Sequence, residues 1–199
     1  MDSKDWGKNK IIGSIAEACV EQHFGQLEYI VEKTGAENIA PHYAHLNSIN
    51  ELKWGNYSKS VNKIRTMPDF LISRIHPTEE NIPVDVKLKN TDNCNRKEVL
   101  FVEAKYRTNP NIKELEEEFK QYEKYSPLIY LVANGWHGYK GKSGSDVCVF
   151  LNYLPFNKWL KAGDRYFDEH LLYIGRENIN FNSIYKDTIQ PSLNTIFNK

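Results

Sequence analysis

Residues 99–107 read Val-Leu-Phe-Val-Glu-Ala-Lys-Tyr-Arg, an apolar strand-forming run with a carboxylate and an ammonium set into its middle. Alternate side chains of a strand point to opposite faces. Phe101, Glu103, Lys105 and Arg107 therefore share one face, and Val102, Ala104 and Tyr106 share the other. Charges withdrawn from water persist only when they are paired, metal-bound or functional. Either Glu103 and Lys105 neutralise each other on an exposed sheet face, or they belong to a site.

The flanking sequence supplies an α/β pattern. Ile11, Ile12, Ile15 and Cys19 recur at helical spacing and predict a helix over 8–24. A strand is expected over 40–46, after the Gly35 break, and a stronger one over 67–75 (MPDFLISRI). Residues 82–88 (IPVDVKL) alternate as an edge strand does, and 90–95 are turn-like. Asn109-Pro110 ends the 99–107 strand. Ile112, Leu115, Phe119 and Tyr122 then mark an amphipathic helix over 112–125. The apolar run 127–132 (PLIYLV) suits a central strand. A Gly/Lys/Ser loop is expected over 134–145 and a strand over 146–154. Beyond Pro155 the expectation is helix, a short strand over 171–174 and an unassigned tail. With 82–88 set aside as an inserted arm, the order α-β-β-β-α-β-β points to an α/β domain with a central mixed β-sheet flanked by helices. At 199 residues, the chain has the size of one domain that buries its own core.

A second acid gives Glu103 a possible companion. Asp69 sits early in the 67–75 strand, where a carboxylate is again out of place. If the two strands are neighbours, Asp69 and Glu103 can converge on one divalent cation. Mg²⁺ is hard, prefers oxygen and takes one or two carboxylates with waters and phosphate oxygens. Lys105, two residues on and on the same face, could orient or deprotonate an attacking water, or stabilise charge developing on phosphorus.

Pro68-Asp69 followed by Glu103-Ala104-Lys105 resembles the PD-(D/E)XK nuclease superfamily. The resemblance implies a restriction-endonuclease-like core over roughly 11–135, with 136–199 as additional strand and helix elements of the same domain. It implies Mg²⁺-dependent cleavage of phosphodiester bonds, with Mn²⁺ able to substitute. Asp69, Glu103 and the Ala104 carbonyl would be metal ligands, and Lys105 the catalytic lysine. Upstream, Gly13-x-x-x-Glu17 matches a helix whose glutamate approaches the metal in many members, so Glu17 joins the ligand candidates; a solvated helix glutamate is the alternative. Downstream, Gln121-x-x-x-Tyr125 looks like the QxxxY element of the RecB-like branch. In an α-helix i and i+4 share a face, here roughly 100–140° from the apolar stripe, which would leave both side chains free to meet substrate; an ordinary helix surface is the alternative.

The interval from Asp69 to Glu103 is longer than a hairpin needs, so 82–88 would be an inserted arm. Asp85 is the rival acid, closer in sequence to Glu103 and part of its own Asp-x-Lys. Asp69 is preferred because it opens an apolar strand, whereas Asp85 lies among lysines, as edge strands often do. Gly141-Lys142-Ser143 lacks the upstream glycine of a phosphate-binding loop, Trp136 standing there instead. His42 and His45 have no partnering ligand motif.

Lys plus Arg number 26 and Asp plus Glu number 26, for no net charge. A protein coating nucleic acid by counterion release is usually basic, so neutrality counts against a histone-like role. An enzyme meeting phosphates in one cleft is not excluded, because local charge steers the ligand. Grip would come from Lys59 and Lys63, with Lys53 and Arg65 and the interleaved Trp54 and Tyr57. Lys140, Lys142, Trp136 and Tyr139 would form a second patch in the 134–145 loop.

No run approaches the roughly 18 apolar residues of a membrane span. The charged segment 1–10 lacks the apolar core of a secretory signal. Cys19, Cys94 and Cys148 are odd in number and scattered, which suits a reducing cytosol and not a disulfide framework. The expectation is a cytoplasmic metal-dependent nuclease acting on nucleic acid, DNA foremost, with no membrane partner. Its oligomeric state is open, a homodimer among the options. The alternative is a non-catalytic nucleic-acid-binding or assembly subunit that keeps the nuclease fold.

Overall fold

The computed structural model describes residues 3–35, 67–75, 97–139, 142–153, 159–163 and 181–197. The chain opens with helix α1 (Ser3–Gln26), followed by strands β1 (Ile30–Lys33), β2 (Phe70–Ile75) and β3 (Lys97–Thr108). Helix α2 (Ile112–Phe119) tightens into a 3₁₀ segment (Lys120–Tyr125). Strands β4 (Leu128–Tyr139), β5 (Lys142–Tyr153) and β6 (Trp159–Lys161) follow. A C-terminal helical run comprises α3 (Phe181–Ile184), a π-helical turn (Tyr185–Ile189) and α4 (Gln190–Phe197).

The described strands form one six-stranded sheet in the order β1-β2-β3-β4-β5-β6. Only β3 and β4 run parallel, while the other neighbouring pairs are antiparallel. Parallel neighbours need a crossover, and α2 with its 3₁₀ extension supplies it. The chain is thus a mixed α/β protein with helices against a mixed sheet, as its pattern of elements predicts.

Each sheet face has its own core. On one, Ala16, Val20 and Phe24 of α1 pack with Val102, Tyr130, Phe181 and Leu193. On the other, Leu115, Phe119 and Tyr122 pack with Ile129, Leu131 and Phe150. Leu128 through Ala133 of β4 are all fully buried, the state expected of an apolar central strand covered on both sides. His23 ties α1 to the C-terminal run. Its Nε2–H donates to the Phe181 carbonyl (2.9 Å), which leaves Nδ1 to accept from the Tyr130 hydroxyl (2.9 Å). The imidazole also stacks on the Phe181 ring at 3.5 Å.

Several expectations are corrected. The short strand β1 carries no apolar alternation that would announce it; it forms because its backbone completes a ladder with β2. The 134–145 segment is mostly strand, because β4 and β5 extend toward each other as far as the Tyr139–Lys142 pair. Trp159–Lys161 is a strand paired with β5, not helix. The unassigned tail is helical over 181–197. The predicted strands at 40–46, 82–88 and 171–174 lie outside the described residues.

Candidate active site

The β2–β3 ladder builds the site. Phe70 pairs with Val102, so Asp69 stands opposite Glu103, one position beyond the end of β2. The Asp69 N–H donates to Glu103 Oε2 (3.2 Å), and the Ala104 N–H donates to Asp69 Oδ2 (2.9 Å). Each acid is thereby oriented by backbone belonging to the other's strand. Asp69 is itself anchored by the residues that follow β1. Its carbonyl accepts the N–H groups of Thr34 (2.8 Å) and Gly35 (3.2 Å), and the Thr34 hydroxyl donates to the Pro68 carbonyl (2.8 Å).

The face assignment read from β3 holds. Val102, Ala104 and Tyr106 join the α1-side core. On the opposite face Glu103 is 1% exposed, Phe101 packs on Tyr125 with ring centroids 5.4 Å apart, and Arg107 forms an ion pair with Glu118 of α2. Lys105 forms an ion pair with Glu103.

The electrostatics are those of two acids forced together. Burial, reinforced by the Glu103 charge, pushes Asp69 up to about 7. Burial also raises Glu103, opposed by Lys105 and by hydrogen bonds from Tyr122 and the Asp69 N–H. Burial by itself would lower Lys105, but the charges of Glu103 and Asp69 outweigh it and hold the ammonium protonated. Two carboxylates facing one ammonium leave a surplus of negative charge when both are ionised.

Glu17 lies on the rim of the buried face of α1, beside Ala16 and Val20. Its carboxylate is drawn to Lys33 of β1 (3.3 Å), which also binds Glu21 (2.7 Å). Its charge still reaches Asp69, adding to the rise of that acid. No cluster of three or more His, Cys, Asp or Glu suited to a metal occurs among the described residues. The structure therefore brings Asp69 and Glu103 together and leaves Glu17 on a neighbouring lysine.

Residues 121 and 125 do not share a helix face as an α-helix would arrange them. A 3₁₀ turn advances about 120° per residue, so i and i+3 eclipse while i and i+4 diverge. Gln121 is exposed, whereas Tyr122 and Tyr125 both turn toward β3. Tyr125 sits against Phe101, with the Lys124 ammonium 4.7 Å from its ring centroid. Tyr122 is the residue that sequence reasoning missed. Its hydroxyl donates to Glu103, and its ring lies 5.7 Å from Lys105 Nζ. The only sequence signal was its place on the apolar stripe of the crossover helix.

Trp136 is buried against Phe150, with Lys161 over its ring at 5.8 Å, so it is a core side chain and not an exposed stacking group. Asp85, Lys59, Lys63, Lys53, Arg65, Trp54, Tyr57, His42, His45 and Lys140 lie outside the described residues. No described helix is long and apolar enough to cross a membrane. Compared with known proteins, the chain matches no protein-family model, no curated protein and no solved structure.

Proposed function

We propose that the chain is a metal-dependent nuclease of the restriction-endonuclease-like kind, hydrolysing phosphodiester bonds with DNA as the main substrate. The observation that carries this reading is the reciprocal Asp69–Glu103 arrangement, a half-buried and a buried acid each oriented by the other's backbone beside Lys105. Such an arrangement is costly unless something uses it.

The donor set fits Mg²⁺. Asp69 and Glu103 offer hard anionic oxygens, and their mutual repulsion supplies the charge a cation would offset. In an extended strand, the N–H and C=O of one residue point to the same edge. The Ala104 N–H points at Asp69, past the end of β2, so the Ala104 carbonyl lies along the same edge and is the third candidate ligand. Bound there, Mg²⁺ or Mn²⁺ would offset the charge of the scissile phosphate and make its water more acidic.

The chain's own groups do the rest. Asp69 and Glu103 need no rearrangement, because backbone N–H groups already hold both carboxylates. Lys105 is kept protonated by the two acids, so its role is to donate hydrogen bonds to an attacking water or to the negatively charged phosphorus centre. Nucleic acid would be gripped by Lys59 and Lys63, with Gln121 and Tyr125 on the crossover side.

Incubating the protein with duplex and single-stranded oligonucleotides in Mg²⁺ or Mn²⁺ tests the proposal. Cleavage by the wild type, lost in Glu103→Gln and Asp69→Asn, is the expected result. If neither nucleic acid is cut or bound at low salt, the reading falls. Binding without cleavage favours the non-catalytic subunit.

A further inference from the structure

We propose that Tyr122 is the positioning residue of this site: its hydroxyl fixes the Glu103 carboxylate and its ring seats the Lys105 ammonium. The inference rests on the nuclease reading and extends it to a side chain that no sequence motif marks.

A glutamate carboxylate turns easily, because its terminal torsion is broad. Three donors reach it here, the Asp69 N–H, the Tyr122 hydroxyl from the 3₁₀ segment and the Lys105 ammonium. A carboxylate has about four acceptor positions, so three donors can fix it and still leave a lone pair for a cation. Lys105 has the opposite difficulty, a compact charge on a flexible four-carbon stem. Glu103 and Lys105 are two residues apart on one strand face, and Tyr122 bridges them. The ring face gives the ammonium a second seat besides Glu103, at 5.7 Å.

Tyr122 can do this because it is itself immobile. It is 7% exposed and packs beside Phe119, with ring centroids 6.3 Å apart, in the α2-side core. Its place on the buried stripe with Leu115 and Phe119 is what turns it toward the sheet.

The test compares Mn²⁺ binding, measured by isothermal titration calorimetry on the full chain, with steady-state DNA cleavage. Tyr122→Phe keeps the ring and removes the hydroxyl, while Tyr122→Leu removes both. Tyr106→Phe deletes the same atom on the other sheet face, where the ring stacks on Phe197, and serves as control. Tyr122→Phe should weaken Mn²⁺ binding about tenfold and lower kcat to a similar extent, with KM for DNA unchanged. Tyr122→Leu should turn over more slowly again, because Lys105 loses its seat. Tyr106→Phe should bind Mn²⁺ as the wild type does. Unchanged Mn²⁺ affinity and kcat in Tyr122→Phe would overturn the inference while leaving the nuclease reading intact, and so would an equal loss in Tyr106→Phe. A wild type that binds no Mn²⁺ would overturn the metal-dependent reading itself, and this inference with it. Should Tyr122→Leu fail to fold, the phenylalanine variant decides alone.

Discussion

Asp69 and Glu103 face each other one step past the end of the β2–β3 ladder, each carboxylate held by a backbone N–H from the opposite strand. This cross-bracing holds two like charges together in a partly buried place. Both the proposed chemistry and the pH behaviour of the protein follow from that tension.

The first prediction concerns stability without metal. Asp69 keeps its proton up to about pH 7 in the folded protein, against 3.8 for an unperturbed aspartate. The folded state therefore holds more protons than the unfolded chain across that window. Stability contributed by this group is greatest below about pH 4 and is lost as pH rises through about 7. Asp69→Asn removes the charge and should stabilise the metal-free protein at pH 8 by roughly 1–3 kcal/mol. Urea unfolding at pH 5 and pH 8 measures it, and an unstable Asp69→Asn protein at pH 8 would contradict it.

His23 acts in the opposite direction. Burial lowers its pKa to about 3, from 6.5. The unfolded chain thus takes up a proton that the folded core refuses. Stability from this group is complete above about pH 6.5 and is lost as pH falls toward 3. His23→Leu should flatten the stability loss between pH 6 and 4, even if it lowers stability at pH 7 by leaving the Tyr130 hydroxyl and the Phe181 carbonyl without this partner. Unfolding curves across that range check the slope, which is independent of the offset.

Cation binding should couple to pH through Asp69. Because binding requires the ionised acid, the rise in Tm with Mg²⁺ should be larger at pH 8 than at pH 6. Glu103→Gln should abolish the rise at either pH. Thermal melts with Mg²⁺ and with chelator measure both effects.

Lys105→Ala should separate chemistry from grip. Turnover is expected to fall by about 10²–10³, the size of effect seen when one donor to a developing negative charge is removed. DNA affinity should change little, because one lysine contributes a small part of total phosphate contact. A parallel fall in affinity and turnover would reassign Lys105 to binding.

The absence of net charge predicts a shallow salt dependence. With three or four phosphate contacts from the region of Lys59 and Lys63, log K against log salt should slope at roughly −3 to −4. Lys59→Ala with Lys63→Ala should flatten it by up to about two units. Changing Lys158 and Lys161 together to Ala should do less. Salt titration of the Glu103→Gln protein on duplex and single-stranded oligonucleotides measures each slope.

What the sequence determined by itself was local and periodic. Strand alternation sorts Val102, Ala104 and Tyr106 from Glu103 and Lys105 without knowledge of any partner, and the wholly apolar 127–132 run announces a central strand. The acid pair Asp69–Glu103 was legible because charge in an apolar strand is costly wherever that strand ends up. Tertiary structure decided what depends on long-range pairing. Strand β1 exists only through its ladder with β2, and Glu17 turns to Lys33 only because β1 lies beside α1. The same holds for Gln121 and Tyr125. Composition favours a continuous helix over 112–125, whereas its last turns are 3₁₀. That change of about 20° per residue parts Tyr125 from Gln121, leaving Gln121 exposed and Tyr125 against Phe101. A rotation so small carries no signature in residue type, because it is selected by the surface the segment packs upon.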